Sequence, residues 1–130
     1  MDNLKYLSLL GSGYFCNVKK YKHKSSNLKI AVKELKKEHT ENEDYKKRFL
    51  REVEILQKLK DCNNIINIID KCDDSNNLWY SMPCADKNLS KFIGESNSKL
   101  CDRERLDILD QVISAVEYAH KKGILHRDLA

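Results

Sequence analysis

Three strand-like segments joined by short polar links open the chain, and this arrangement constrains the fold more than any other sequence feature. The segments are residues 4–10, 17–22 and 29–35, separated by Gly11-Ser12-Gly13 and by the polar residues 24–27. Such tight links favour antiparallel pairing, because parallel neighbours need a long crossover between them. The sequence therefore predicts an antiparallel meander at its start.

A helical period follows the meander over residues 45–60. Its apolar residues recur at steps of three and four, which places one set on a single helix face. That set is Phe49, Val53, Leu56 and Leu59. Residues 65–69 and 78–82 then read as two more strands, with a turn at residues 73–77.

Two further helices are predicted near the end of the chain, at residues 88–93 and 102–122. Asp102 is a candidate N-cap of the longer helix, and Gly123 is a candidate stop after a basic last turn. The predicted fold class is therefore α+β. It consists of a five-stranded antiparallel sheet with one helix, followed by further helices.

Charge and length set limits on the function. The chain has 130 residues, enough for one modest domain with a core. Its 24 Lys and Arg residues exceed its 20 Asp and Glu residues by only four, and they are spread along the chain. The densest basic run, residues 19–24, is typical of a solvated strand edge rather than a nucleic-acid-binding patch. We therefore expect no nucleic-acid partner.

Cysteine usage and hydropathy indicate the compartment. The five cysteines are widely spaced and form no C-x-x-C pair, which argues against a disulfide framework or a zinc site. The N-terminus has no basic stretch followed by an apolar run, and no apolar segment approaches the length of a membrane span. We expect a cytoplasmic protein without a signal peptide or a membrane segment.

The first candidate for chemistry is the glycine-containing loop from Gly11 to Val18. Glycines let backbone N–H groups approach a phosphate closely. An ordinary hairpin turn is the alternative, and the loop taken alone favours it. A strand rather than a helix follows the loop, which argues against a Rossmann fold, and the missing G-K-[ST] argues against a Walker loop.

Lys33 and Glu52 form the second candidate. Lys33 lies in the apolar third strand, so it is either a surface lysine or an inward charge that needs a partner. Glu52 falls on the apolar face of the first helix, close to Leu56, where a carboxylate is uncommon unless something satisfies it. The two observations support each other, and we expect the two side chains to pair.

His126-Arg127-Asp128 is the third candidate. A short apolar stretch, Ile124-Leu125, precedes it. An aspartate placed in a loop in this way can accept the proton of a hydroxyl nucleophile. The alternative is an ordinary polar loop without a catalytic role, since this tripeptide alone can match by chance.

Together, in their order and spacing, these features resemble the eukaryotic-type protein kinase family. The resemblance covers essentially the whole chain. It implies an N-terminal lobe at residues 1–85 with a hinge at 83–85, then an incomplete C-terminal lobe at residues 86–130 that ends within the catalytic loop. On this interpretation the chain is a truncated kinase domain, and we expect it to be inactive by itself.

The resemblance implies a role for each matching residue. Gly11, Gly13 and Val18 would cover the phosphates and one face of adenine, with Ala31 beside the ring. Three residues form the implied catalytic set. Lys33 would hold the α- and β-phosphates, Glu52 would pair with Lys33, and Asp128 would be the catalytic base.

The resemblance also implies how adenine is held. Met82 would be the gatekeeper, and Pro83, Cys84 and Ala85 would form the hinge. Pro83 would offer its carbonyl, so its missing N–H costs nothing there, and Ala85 would offer both N–H and carbonyl. The implied cofactors are ATP and Mg²⁺. The metal ligands are expected beyond residue 130, and none is assigned within the chain.

Two departures from the family pattern concern nucleotide affinity and hydroxyl specificity, respectively. Cys16 stands where the loop usually has its third glycine, and Ala130 stands where serine/threonine kinases usually have lysine. We expect ATP-dependent phosphorylation of a protein substrate, on serine or threonine rather than tyrosine. A non-catalytic pseudokinase-like fragment that binds nucleotide or protein is the main alternative, and a small-molecule phosphotransferase is a third. The sequence does not indicate an oligomeric state.

Overall fold

The computed structural model describes residues 3–74, 76–96 and 99–126 of the chain. Within them, five strands and three helices follow one another, with a 3₁₀ turn (Lys37–His39) before the first helix. The elements are β1 (Leu4–Ser12), β2 (Cys16–His23), β3 (Lys29–Leu35), α1 (Glu43–Lys58), β4 (Asp70–Asp74), β5 (Asn77–Pro83), α2 (Leu89–Ser96) and α3 (Asp102–Lys121). The predicted fold class is confirmed.

The chain divides into two compact units, residues 1–58 with 66–84 and residues 59–65 with 85–130. The first unit contains the sheet and α1, and the second contains α2 and α3. Because the candidate loop, lysine and glutamate all fall in the first unit, their geometry can be described within that unit alone.

The sheet has the strand order β1-β2-β3-β5-β4, and every neighbouring pair is antiparallel. β3 is central, and Ile30, Ala31 and Val32 along it are at most 6% exposed. A strand buried on both faces carries a continuous apolar run, as this one does. Lys33 follows that run directly, so the strand that forms the middle of the sheet also fixes the position of this lysine.

The fourth strand corrects the sequence prediction. Residues 65–69 were expected to form it, whereas β4 covers Asp70–Asp74. The predicted turn at residues 73–77 is too wide, because Asp74 and Asn77 already pair with each other as members of the two strands. β4 is an edge strand, where polar side chains can face outwards, so its position depends on backbone pairing rather than on hydrophobicity.

The apolar residues before β4 contribute to the core without forming a strand. Ile68 packs against the buried cluster of the first unit. The backbone N–H of Ile69 donates a hydrogen bond to the Ser81 carbonyl at 2.8 Å. An apolar run can therefore be buried in an extended segment that precedes the regular ladder.

Helix α1 packs on the sheet through the face that its apolar period predicts. Phe49 and Val53 are 3% and 5% exposed and contact Leu35, Leu78 and Tyr80 of the sheet. The helix begins at Glu43, earlier than the sequence predicts. The side-chain oxygen of Asn42 accepts hydrogen bonds from the backbone N–H groups of the first turn, which favours that start.

In the second unit, α3 matches the predicted helix at residues 102–122 to within one residue, but its N-cap residue differs from the predicted one. Cys101 occupies the N-cap position and makes no side-chain capping hydrogen bond. Asp102 is therefore the first helical residue rather than the predicted N-cap, and its charge still suits the positive end of the helix dipole. Gly123 has φ of 78°, a conformation that glycine adopts readily and that commonly terminates helices.

The apolar residues of α3 remain largely exposed among the described residues, although their helical period is correct. Leu106 and Leu109 are 63% and 53% exposed. Within residues 3–74, 76–96 and 99–126, no helix combines the length and apolar character needed to cross a membrane.

Candidate functional site

A cavity of about 500 Å³ lies in the first unit, between the β1–β2 turn, β3 and α1. Its walls include the predicted residues of all three elements: Gly11, Gly13, Val18, Lys33 and Glu52. Most of the other lining side chains are aromatic or aliphatic, among them Phe15 and Phe49, and Ser12, Cys16 and Arg48 complete the lining. A mostly apolar cavity with a few convergent polar groups is the usual form of a small-molecule site.

The glycine-containing turn is held by its own hydrogen bonds. The backbone N–H of Gly13 donates to the Cys16 carbonyl at 2.9 Å. The Ser12 hydroxyl donates to the side-chain oxygen of Asn17 at 2.8 Å. These contacts order the turn without occupying the cavity below it.

Gly11 at the end of β1 and Gly13 in the β1–β2 turn are not required by backbone conformation, since neither has a positive φ. A Cβ added to Gly11 would meet no atom within 4 Å, and one added to Gly13 would meet only the Cys16 carbonyl oxygen at 3.8 Å. The protein itself therefore leaves space above both residues. A bound group that approaches the backbone closely, such as a phosphate, is a physical reason for glycine at such positions.

Lys33 and Glu52 meet at the wall of the cavity. The Lys33 Nζ donates to Glu52 Oε1 at 2.8 Å and to Oε2 at 3.1 Å. Their side chains are 26% and 40% exposed, so the pair faces the cavity rather than being sealed in the core. The structure thus brings together the two side chains that the sequence led us to pair.

Tyr80 is a third member of this cluster, which the sequence analysis missed. Its hydroxyl donates to Glu52 Oε1 at 2.8 Å, and the residue is only 3% exposed. Burial raises the pKa of the Tyr80 phenol, and the negative charge of Glu52 raises it further, so the phenol remains a proton donor. Strand alternation was the available signal, because Leu78, Tyr80 and Met82 share one face of β5.

Cys16 also lines the cavity, where it begins β2 and pairs with Leu35. Burial raises the pKa of its thiol. Lys33 acts in the opposite direction, lowering the pKa, and Glu52 raises it. A protonated, half-buried thiol at this position supplies bulk rather than charge to the wall.

The residues predicted to contact adenine follow the sheet register. Val18 lies opposite Lys33, and Ala31 lies opposite Met82. Ala31 is 6% exposed, and Met82 packs against the core cluster. Val18 lines the cavity, whereas Ala31 and Met82 are outside its lining and lie further along the same face of the sheet.

The hinge prediction involves both units. Pro83 lies opposite Ile30 at the end of β5, and the backbone N–H of Cys84 donates to the Lys29 carbonyl at 3.4 Å. Ala85 begins the second stretch of the second unit. Asp128, the predicted base, lies outside the described residues.

An aromatic cluster that forms part of the cavity wall was also not anticipated. The Tyr14 ring at the tip of the turn stacks on His39, with ring centroids 5.3 Å apart, and His39 Nε2 donates to the Tyr14 carbonyl at 3.1 Å. Phe15 contacts Tyr45 of α1, with centroids 4.4 Å apart, and Arg48 lies over the Phe15 ring. The separation of these residues along the chain hid the cluster from sequence reasoning.

No group of three or more His, Cys, Asp and Glu side chains suited to a metal ion occurs within the described part of the chain. The cationic Lys33 and the open space over the glycines suit an anionic ligand with phosphate groups. The site residues present therefore fit a ligand that carries phosphate groups.

Comparison with known proteins gives a consistent result. The family model described as "Protein kinase domain" matches residues 4–130. A "probable myosin light chain kinase" of Dictyostelium discoideum is 34% identical over 122 residues, which cover 92% of this chain and 30% of that protein. The serine/threonine-protein kinase PknD of Chlamydia muridarum is 30% identical, with 99% of this chain and 15% of that protein covered.

A solved structure gives the same match in three dimensions. The crystal structure of the Mycobacterium tuberculosis PknI kinase domain superposes with a TM-score of 0.66 at 26% sequence identity. The match covers 98% of this chain and 52% of that kinase domain. The chain therefore spans about half of the kinase domain that it matches, and a smaller share of the curated relatives.

Proposed function

This chain belongs to the protein kinase domain family, and on that premise we propose that it binds ATP for phosphoryl transfer to a serine or threonine hydroxyl of a protein. The observation that carries the proposal is the Lys33–Glu52 pair, bonded at 2.8 Å in the wall of a glycine-lined cavity. A lysine held by a helix carboxylate can place its ammonium against phosphate oxygens, and such positioning supplies most of the catalysis in phosphoryl transfer.

We assign the nucleotide to the cavity through the residues that line it. The backbone of Gly11 and Gly13 would lie over the phosphates, and the Lys33 ammonium would bind the α- and β-phosphates. Val18 and Ala31 would contact the adenine faces. Met82, Pro83 and Ala85 keep the hinge roles that the resemblance implies.

The transfer itself would involve Asp128. The substrate hydroxyl oxygen forms a bond to the γ-phosphorus while the bond to the bridging oxygen breaks and ADP leaves. The hydroxyl proton passes to the Asp128 carboxylate. Bound Mg²⁺ would neutralise charge on the β- and γ-phosphates, and we assign it no ligand within residues 1–130.

Specificity and location are part of the same proposal. Relatives such as PknD are named as serine/threonine kinases, which supports a serine or threonine acceptor over tyrosine. Cys16, Cys62, Cys72 and Cys101 are free thiols, as is usual in a reducing compartment, and ATP is the cosubstrate. We therefore place the protein in the cytoplasm, acting on a protein substrate.

The test measures two properties of matched variants. ATP affinity is measured by calorimetric titration of the chain, and phosphate transfer is measured with γ-labelled ATP and the full-length product of its gene. Lys33→Met should reduce transfer by about 100-fold or more, because it removes a charged donor that acts on the transferring nucleotide. Thermal unfolding should change little, since Lys33 is partly exposed.

Lys29→Met is the control, because Lys29 lies on the same strand but is exposed and outside the cavity. It should retain both ATP binding and transfer. Equal transfer by Lys33→Met and the wild type would contradict the proposal. ATP binding without any transfer by the full-length product would favour the pseudokinase-like alternative.

A further inference from the structure

We propose that Tyr80 is a positioning residue whose hydroxyl holds Glu52, and through it the Lys33–Glu52 pair, in the orientation that nucleotide binding requires. This inference rests on the proposed function, since it assigns a further residue to the same site. Tyr80 acts through Glu52 and need not contact the nucleotide.

Lys33 and Tyr80 share one acceptor on Glu52. Glu52 Oε1 accepts one hydrogen bond from Lys33 Nζ at 2.8 Å and another from the Tyr80 hydroxyl at 2.8 Å. Lys33 also reaches Oε2 at 3.1 Å. The carboxylate is therefore fixed from two directions, and rotation about its last bond would lose at least one donor.

The two donors come from neighbouring strands of the sheet. Lys33 is on β3 and Tyr80 is on β5, and the antiparallel register places them directly opposite each other. Side chains opposite each other on neighbouring strands lie on the same face of a sheet. Two adjacent strands therefore hold the same carboxylate of α1, so the hydrogen bonds connect the helix to the sheet at one point.

The two donors differ in how rigidly they are held. The Tyr80 ring is 3% exposed and packs against Phe49 of α1, with ring centroids 5.7 Å apart. Its hydroxyl has little freedom to move. Lys33 ends a flexible four-carbon stem and is 26% exposed, so it can move towards a ligand.

The two donors therefore have different roles. When a phosphate draws the Lys33 ammonium into the cavity, the Tyr80 hydroxyl keeps Glu52 in place as a partner for it. Without that hydroxyl, Glu52 would lose its rigid donor and Lys33 would have to order the carboxylate and bind the phosphate at once. Hydrogen bonds to charged groups are stronger than those between neutral groups, so the loss should be measurable.

The test is a double-mutant cycle on ATP affinity with Tyr80→Phe, Glu52→Ala and the double variant. Tyr80→Phe removes only the hydroxyl and keeps the buried ring, and Glu52→Ala removes the acceptor. In the Glu52 background, Tyr80→Phe should weaken ATP binding by about tenfold. In the Glu52→Ala background, the same change should have almost no effect, because its target is absent.

A merely structural role for the hydroxyl would give a different pattern, namely an equal loss in both backgrounds. That result would overturn the inference, as would unchanged affinity in Tyr80→Phe. Tyr21→Phe is the matched control, since Tyr21 lies on β2 outside the cavity, and it should bind ATP as the wild type does.

Two further readings separate this inference from the proposed function. Amide hydrogen exchange of α1 without nucleotide should be faster in Tyr80→Phe than in the wild type. If the wild type binds no ATP, the proposed function fails and takes this role with it. If the wild type binds ATP and Tyr80→Phe binds it equally, only the inference about Tyr80 fails.

Discussion

At the scale of single residues, folding alone does not require the glycines of the β1–β2 hairpin. Neither Gly11 nor Gly13 has a positive φ, and no neighbouring atom crowds the position of an added Cβ. The fold would therefore accept a side chain at both positions. Their identity is explained by the group that the proposed function places above them.

Gly11→Ala should thus affect binding and spare the fold. At a position with a compatible backbone, replacing glycine by alanine usually stabilises a protein by about 0.4–1 kcal/mol, because the unfolded chain becomes less flexible. ATP affinity should fall by about tenfold, the equivalent of roughly 1.4 kcal/mol, because the methyl group occupies the space for a phosphate. Calorimetric titration and thermal unfolding measure the two effects.

Gly94→Ala is the control for this experiment, because Gly94 also has open space around it but lies on α2 and is not among the residues that line the cavity. It should leave ATP affinity unchanged. A loss of stability in Gly11→Ala with normal ATP affinity would show that the glycine serves the fold.

Sequence reasoning found the ionic members of the site and missed the neutral one. A charge in an apolar pattern is conspicuous, so Lys33 and Glu52 each implied a partner. Tyr80 has no such signal, because a buried tyrosine in a strand is ordinary. Its role depends on lying opposite Lys33 in the β3–β5 register. The turns read from the sequence do not determine that register.

At the scale of elements, the contact between α1 and the sheet combines an apolar cluster with one polar connection. Phe49 and Val53 pack against the sheet, and Tyr80 belongs to the same cluster while donating to Glu52. The contact therefore depends on the protonation of a buried phenol. It should respond to pH in a range where apolar packing does not.

The expected response is a loss of stability at alkaline pH. The pKa of Tyr80 is raised in the folded protein above its ordinary value of 10.0, so the folded state holds the proton more tightly than the unfolded state. This contribution is complete below pH 10 and is lost as the pH rises through that value towards the folded pKa. Burial raises the pKa of Cys16 in the same direction, from an ordinary value of 9.0.

Urea unfolding between pH 7 and pH 11 measures this effect. The difference in unfolding free energy between the wild type and Tyr80→Phe isolates the phenol from other titrating groups. That difference should shrink or change sign as the pH rises. A difference that stays constant across the range would contradict the assignment of a buried, hydrogen-bonded phenol.

The sequence predicted the elements well where their hydrophobic periodicity is strong, and poorly where backbone pairing determines the position of a strand. The three-strand meander and the apolar face of α1 have clear periods, and both are present. β4 carries mostly polar residues at an edge, so the apolar residues 65–69 looked like the better strand. Likewise, Asp102 has a capping side chain, yet the helix begins at that residue and Cys101 holds the N-cap position.

At the scale of the whole molecule, the chain has two compact units, and the described residues of the proposed site lie in the first of them, apart from Ala85. The cavity, the glycine turn and the Lys33–Glu52–Tyr80 cluster all belong to the unit that contains the sheet. Nucleotide binding by this unit is therefore a separate question from phosphoryl transfer, which also involves Asp128.

The central claim is that the Lys33 ammonium lies where ATP phosphates bind, and a lysine-reactive nucleotide tests it most directly. In an acyl phosphate of ATP, the amine of a bound lysine attacks the acyl carbon, and ATP leaves as the amide forms. Peptide mass spectrometry of the labelled chain then locates the modified lysine. We predict rapid labelling of Lys33 that excess ATP prevents. Labelling spread over other lysines, with Lys33 unmodified or unprotected by ATP, would contradict the account.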